Sequence, residues 1–480
     1  MPFSHTYRPS TAHAALGSQF YDPVTPARFP QHVIRYRNRN WAARIGLGEL
    51  ADAEWIRHLG AFEPLPGSLE RPLALRYHGH QFRYYNPDLG DGRGFLFAQL
   101  YDLCDGRLLD LGTKGSGQTP WSRQGDGRLT LKGGVREVLA TSMLEALGVN
   151  TSKSLSLIET GEELHRGDEP SPTRSSVLVR LSHSHIRIGS FQRLRALEAR
   201  DDIETLLDHT IHHYMPAFWQ EDLADRAVAF LEEVCIRVAR TGAQWMLAGF
   251  VHGVLNSDNI NVTGESFDYG PWRFLPSYDS AFTAAYFDTT GLYAYGRQPE
   301  ALAWNLTRLA ECLLPLADLD RLQAVLLRFE SFMQQEMRKS LLRRLGIRAV
   351  AADAQEAEAA LSSAFWRFMH ETAPPFERTL FDWYGGPAAA ERAMSGPAAA
   401  TYKSAAFAPV RAALDAFEPA PDARLDHAYF NRPAPCTMLI EEVEALWEPI
   451  ARADDWRHFE AKLNQIEEMA AAYGTLPDLP

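Results

Sequence analysis

Apolar side chains follow two different spacings along this chain, and the change falls near residue 195. Phe95–Leu100 (FLFAQL) reads as a strand, Asp105-Gly106 as a tight hairpin turn, and Leu108–Lys114 (LLDLGTK) as the returning strand, which ends on Lys114. Val135, Leu139, Met143 and Leu147 recur every fourth residue, which predicts an amphipathic helix over Val135–Leu147 with Gly148 as its stop. Leu155–Ile158 and Val177–Leu181 are further short strands, so Phe95–Leu181 reads as a mixed sheet with one helix. After about Arg195 the spacing is helical, over Asp202–Leu207, Leu223–Leu247, Ala301–Ala324, Leu327–Leu345 and Ala357–Thr372. A loop-rich stretch, His252–Ser280, interrupts it. Gly385–Ala400 (GGPAAAERAMSGPAAA) predicts a mobile loop or linker, Glu418–Ala423 a second break, and Leu439–Ala470 a closing helical region. The proline-rich first seventy residues predict an irregular extension packed on the core. The fold class is α+β, divided as an N-terminal extension (1–70), a sheet lobe (71–195), a mainly helical lobe (196–384) and a linker with a C-terminal helical extension (385–480).

Composition narrows the function. The chain has 480 residues, 46% hydrophobic and 23% charged, ample for a buried core. A formal net charge of −13 leaves no basic surplus for nucleic acid, and the basic run in Met337–Leu345 reads as a solvated helix face. Met1–Ala15 is polar, so no secretory signal is expected. No apolar run has the length of a membrane span; the best, Trp245–Leu255, is short and holds His252. Four cysteines, Cys104, Cys235, Cys312 and Cys436, form no CxxC pair, which fits a reducing compartment. A cytoplasmic protein, working as a monomer, is the expectation.

The chemistry gathers around His252–Asn259 (HGVLNSDN) and Asp268–Gly270 (DYG). Asp258, Asn259 and Asp268 offer one carboxylate near an attacking group, and an amide with a second carboxylate as hard oxygen ligands for Mg²⁺ or Mn²⁺. A sheet with one helix, followed by a helical region holding such a loop, is the layout of a protein-kinase-like bilobal fold. There a strand lysine, Lys114, contacts nucleotide phosphates and a helix glutamate, Glu137, orients it. Glu137 falls in the first turn and a half of the predicted helix, where the helix dipole favours its charge. Gly90-Asp91-Gly92-Arg93-Gly94 precedes the first strand, where glycines let backbone amides approach phosphates and Arg93 adds a charged fork. Lys114–Arg128 is a second glycine-rich stretch, whose Asp126 and Gly127 suit the nucleotide or its ribose. Arg180 and Arg187 flank Ser182–His185 and suit a polyphosphate, with ion pairs to the many carboxylates as the bland alternative. His183, His185 and His252 lack metal-ligand spacing and read as structural, His252 as a brace of the catalytic loop. No GxSxG or HExxH motif is present. In an ordinary kinase loop the base stands two residues after the histidine; that position is Val254 here, and the carboxylate is Asp258, directly before Asn259.

At these residues the chain resembles the selenoprotein O family, kinase-like protein adenylyltransferases. The matching stretches are Tyr77–Phe82 (YHGHQF), Leu89–Arg93 (LGDGR), Lys114–Arg128, Arg136–Ala140 (REVLA), Ser184–Ile188 (SHIRI), Gly249–Asn259 (GFVHGVLNSDN), Asp268–Leu275 (DYGPWRFL) and Tyr295–Ala310 (YGRQPEALAWNLTRLA). They run in the family's order and spacing over roughly Tyr77 to Leu313, with loose similarity before them. The resemblance implies ATP bound the other way round from kinases, so that its α-phosphorus faces the acceptor and AMP is transferred as pyrophosphate leaves. It implies Asp258 as proton acceptor, Asn259 and Asp268 as metal ligands, and Lys114, braced by Glu137, on the phosphates. Gly90, Gly92, Arg93, Asp126, Gly127, Arg180 and Arg187 would complete the nucleotide pocket, which Asp268 also joins. The acceptors would be exposed Ser, Thr or Tyr hydroxyls of proteins. An ordinary γ-phosphoryl kinase and a silent nucleotide-binding scaffold are the alternatives, and the intact set of site residues argues against the scaffold. Two departures stand out. Gly133-Gly134 replaces a small polar pair and predicts a weakened helix N-cap. The chain ends Leu476–Pro480 (LPDLP) with no terminal cysteine or selenocysteine, and beyond about Arg378 the resemblance is weak, so thiol control there is not expected.

Overall fold

The computed structural model describes residues 7–167, 169–350 and 353–479. Its centre is a nine-stranded sheet in which every pairing is antiparallel. Three strands come from the first seventy residues: β1 (Pro9–Ser10), β2 (Tyr21–Pro23) and β3 (Val33–Arg37). That stretch, expected to be irregular, also supplies α1 (Arg39–Arg44) and α2 (Asp52–Leu59). The proline-limited strands are only two to five residues long, too short for periodicity to reveal. Next come β4 (Leu73–Leu75), a separate hairpin of β5 (Gly79–Gln81) and β6 (Tyr84–Asn86), and the predicted hairpin as β7 (Leu96–Tyr101) and β8 (Leu108–Lys114). After these stand β9 (Leu129–Thr130), α3 (Leu131–Ala146), β10 (Lys153–Leu164) and β11 (Thr173–Ser182). The main path runs β2-β4-β7-β8-β11-β10-β3, with β1 on β7 and β9 on β11.

Side-chain alternation decides which residues reach the site. Leu109 and Leu111 of β8 and Val177, Val179 and Leu181 of β11 pack with Trp41, Ile45 and Trp55 on one face. The intervening positions, including Lys114 and Arg180, therefore point to the other face, the one on which α3 packs against β10 and β11. Register pairs Lys114 with Leu178 and Gly112 with Arg180, so the lysine and the arginine lie close on neighbouring strands.

Helix α3 begins four residues before the expected Val135, and Gly133 and Gly134 lie inside it. Its N-cap is intact: the Thr130 hydroxyl accepts from the Gly133 amide at 3.1 Å. A Cβ at Gly134 would run into the Leu157 side chain and stand 2.7 Å from Ser176 Oγ, so that glycine lets the helix lie against β10 and β11. Gly148, at φ +75°, ends the element as predicted.

The rest is mainly helical: α4 (Ile188–Ala196), α5 (Arg200–Tyr214), α6 (Leu223–Ala248), α7 (Gln298–Leu313), α8 (Leu319–Leu326), α9 (Phe329–Leu345) and α10 (Ala354–Thr372). The single helix expected over Ala301–Ala324 is two, broken at Leu314–Asp318. Gly385–Ala400, expected to be a loop, folds into a 3-10 turn (Gly386–Ala389), an α-helix at Ala390–Ser395 and the start of another at Ala399–Tyr402. Their side chains Ala393 and Tyr402 are buried, and the Tyr402 hydroxyl donates to Asp382 at 2.9 Å. The closing helices, Ile440–Ala453 and Arg457–Tyr473, reach back to α3: Lys132 pairs with Glu444 at 2.7 Å, and Thr475 donates to the Ala146 carbonyl at 2.8 Å. Among the described residues no helix is long and apolar enough to cross a membrane.

Candidate active site

A cavity of about 750 Å³ opens between the sheet and the helical region, within the range of small-molecule sites. Of the residues singled out in the sequence, Gly90, Gly92, Arg93, Lys114, Asp126, Gly127, Arg180, Arg187, Asp258, Asn259 and Asp268 line it. Glu137 stands behind the wall, buried in the second turn of α3. It is too far along the helix for the dipole argument; its partner is the Lys114 ammonium, which it contacts directly.

Lys114 Nζ also reaches Asp268 Oδ1 at 2.7 Å, and the same oxygen accepts from Arg180 Nη1 at 3.2 Å. Burial opposes the Asp268 charge, but Lys114, Arg180 and Arg93 more than offset it and hold the carboxyl well below the usual carboxylate range. Asp268 sits at φ +62°, a left-handed conformation costly for a residue with a Cβ. Phe267, just before it, is fully buried, and the guanidinium groups of Arg180 and Arg187 lie over its ring at 5.3 and 5.0 Å. His252 braces this joint as expected: its ring contacts the Phe267 carbonyl at 3.1 Å, and its amide donates to Gln298.

Arg187 leads into α4 and ties the cavity walls together. It donates to the Asp258 carbonyl and to Asp91, both at 3.3 Å, and lies 4.1 Å over the Tyr77 ring. Asp258 itself is buried, and burial pushes its carboxyl up to about 6 while Arg187 pulls the other way. Its Oδ1 has no hydrogen-bond partner within the protein. Asn259 donates its side-chain amide to the Val254 carbonyl at 3.0 Å, which fixes the group and leaves its Oδ1 for another partner.

The Asp268 carboxylate and the Asn259 amide oxygen fit a hard divalent cation, with no soft donor beside them. Among the described residues no group of three or more His, Cys, Asp or Glu side chains is arranged to hold a metal. An ion here would draw its remaining ligands from substrate phosphates or water, the usual habit of Mg²⁺.

The glycine-rich segments are placed differently from a simple phosphate cradle. A Cβ at Gly90 would collide with the Trp121 ring, and one at Gly92 would stand 2.9 Å from the Trp121 carbonyl, so these glycines admit the 119–125 loop. Trp121 was not foreseen; its indole donates to Asp22 at 2.9 Å and roofs the cavity. Asp126 lies toward the rim, paired with Arg166 at 2.8 Å. Asp91, Tyr77 and Arg166 also escaped the sequence reading, although Asp91 and Tyr77 lie inside two of its motifs.

The family model described as "Protein adenylyltransferase SelO" matches residues 3–467, well beyond Arg378. A "Protein nucleotidyltransferase YdiU" of Trichodesmium erythraeum is 50% identical over 363 residues, covering 74% of this chain and 75% of its own. The protein of that name from Trichormus variabilis is 42% identical over 474 residues, 94% of each chain, and that of Vibrio cholerae 36% identical over 77% of this chain and 73% of its own. Match and coverage extend through sheet, cavity and helical region alike, and the chain belongs to the SelO family of protein adenylyltransferases, enzymes that move AMP from ATP to proteins.

Proposed function

We propose that the cavity holds ATP with its α-phosphorus toward Asp258, and that AMP passes to a Ser, Thr or Tyr hydroxyl of an acceptor protein. The fold is read as kinase-like: one helix carries Glu137 to a strand lysine, and the helical region beyond it bears the metal loop. The observation that carries the reading is the single connected set Glu137–Lys114–Asp268–Arg180, with the unpartnered Asp258 oxygen in the same cavity.

Each residue then has a task. Lys114, held by Glu137, and Arg180 bind phosphate oxygens and offset charge that builds on departing pyrophosphate. Asn259 and Asp268 would hold Mg²⁺ or Mn²⁺, which when bound neutralises phosphate charge and orients the reacting group. Asp258 accepts the proton of the attacking hydroxyl, and Arg187 fixes the backbone on which it stands. Gly90, Gly92, Arg93, Asp126 and Gly127 complete the nucleotide's surroundings. Because Asp258 directly precedes Asn259, base and metal ligand are adjacent, a spacing unlike an ordinary kinase loop and suited to a nucleotide turned end for end. The net negative charge disfavours nucleic acid as the acceptor, and the four free cysteines suit a reducing compartment, which supports protein acceptors in the cytoplasm.

Mass spectrometry of an incubation with ATP, Mg²⁺ and a mixed protein extract tests this. Acceptors should gain the mass of adenylate on hydroxyl side chains, chelation should stop the gain, and Mg²⁺ or Mn²⁺ should restore it. A gain of phosphate mass alone would replace the reading with an ordinary kinase.

A further inference from the structure

Exposed aromatic side chains are few among the described residues, and most stand on two neighbouring segments joined by a Phe82–Phe287 contact. Among the described residues Tyr84, Tyr85, Trp219, Tyr286 and Phe287 are the exposed aromatics, and only Trp219 belongs elsewhere. Tyr84 and Tyr85 stand on β6 of the small hairpin, and Tyr286 and Phe287 on the 276–294 loop. Tyr286 and Tyr84 are 89% and 81% exposed, and Tyr286 packs edge-on against Phe287, so Tyr286 and Phe287 form a contiguous pair and are not scattered singly.

The patch is continuous with the catalytic cavity. Phe287 packs on Phe82, with centroids 5.9 Å apart, and Phe82 on Tyr293 at 5.1 Å. The Phe82 amide and the Tyr293 hydroxyl both donate to Asn256 Oδ1, at 3.0 and 2.8 Å. Asn256 lies two residues before Asp258 and lines the same cavity, as does Gln81 of the hairpin. His80, on β5, donates its amide to Ser257 Oγ at 2.7 Å. The hairpin is therefore fastened along His80–Phe82 to the Asp258 loop.

The loop that presents Tyr286 and Phe287 is fixed as well. Asp288 is buried and accepts from the amides of Leu292 and Tyr293 at 2.9 and 2.8 Å, and Arg297 donates to the Gly291 carbonyl at 3.1 Å. Two rings are thus held out into water by a turn that has its own internal bonds. An aromatic surface ordered in advance loses little conformational entropy on binding.

We infer that Tyr286, Phe287 and Phe82 form the acceptor-docking surface, which receives a large apolar or aromatic side chain flanking the modified hydroxyl. This rests on Asp258 as the proton acceptor, because the hydroxyl must come to that residue and the patch reaches its loop through Phe82, Tyr293 and Asn256. The same position makes the acceptor polypeptide its occupant in preference to a second copy of the chain.

The test uses the full-length enzyme, MgATP and synthetic decapeptides with one central serine, whose two residues on either side are varied among aromatic, large aliphatic, acidic and alanine. The wild type should prefer an aromatic or large aliphatic neighbour, with KM roughly tenfold below that of the alanine peptide. Tyr286→Ala combined with Phe287→Ala should erase that preference, raising KM for the preferred peptides roughly tenfold while KM for ATP stays the same. Both side chains are exposed, so the fold should tolerate the change, and Phe287→Tyr should keep the preference. A wild type indifferent to the flanking residue, or a double variant that keeps the preference, would overturn the inference. So would a wild-type dimer, seen by sedimentation, that the double variant abolishes with peptide KM unchanged. Which group is transferred is read separately, from the mass the peptide gains, so a gain of phosphate alone would sink the AMP reading and leave the docking result standing.

Discussion

Asp268 Oδ1 holds two cations at once, Lys114 and Arg180, from a strained backbone position next to a buried ring. Removing this carboxylate unpairs Arg180, leaves Lys114 to Glu137 alone, and would delete the proposed metal ligand as well. Asp268→Ala is expected to lower AMP transfer by a factor of about 10³ or more, read as single-turnover transfer to protein. Glu137 works one step further back. Glu137→Gln leaves the shape of α3 unchanged but removes the charge that shares Lys114 with Asp268; transfer should fall by roughly 10- to 100-fold, with the larger part in kcat. Equal activity in this variant would show that Lys114 needs no helix partner. The residues that could be foreseen here are those whose chemistry is local. Lys114 ends a strand of alternating side chains, and Asp258, Asn259 and Asp268 stand in one short polar loop. Asp91 and Trp121 could not be, since their roles depend on Arg187 and Asp22, far off in sequence.

At the scale of elements, α3 is the part whose position matters most, because it carries Glu137 to the sheet. Its closeness depends on Gly134, so Gly134→Val should clash with Leu157, cost about 1–3 kcal/mol of stability by denaturant unfolding, and reduce transfer more than ATP binding. The strands β7 and β8, helix α3 and its stop at Gly148 were legible because each has a strong local signal: an Asp-Gly turn, a four-residue apolar spacing, a glycine at positive φ. The helix start was not. A glycine pair looked like a poor beginning, whereas Thr130 supplies the cap and the glycines serve packing within the helix. Strands β1 to β3 and the helices within Gly385–Ala400 were missed for the same reason, since proline-bounded or alanine-rich segments take their structure from what they pack against.

At the scale of the described molecule, residues 7–40 and 441–479 are both joined to the part that holds the cavity, through β1 to β3 and through Lys132–Glu444 and Thr475–Ala146. Two buried neutral histidines stand in the fold, His13 in the N-terminal segment and His183 directly after β11. Burial pushes the imidazoles of His13 and His183 down to about 4 and about 3. Unfolding frees them to bind protons below about pH 6.5, where the folded protein does not, so stability should fall as pH drops through that window. The loss is about 1.4 kcal/mol per histidine per pH unit at most, measurable as a denaturant midpoint that declines from pH 7 to pH 5. A midpoint that is flat over that range would mean that both imidazoles are solvated and take up protons in the folded protein as well. The central claim is that one cavity, with Asp258 beside the α-phosphorus, performs AMP transfer. Its most direct measurement compares ATP labelled at the α- or the γ-phosphate, with wild type and Asp258→Ala, and records both protein-bound label and ATP binding. Label is expected from the α-position only, and none from the variant although it still binds ATP; label from the γ-position, or undiminished transfer by Asp258→Ala, would contradict that claim.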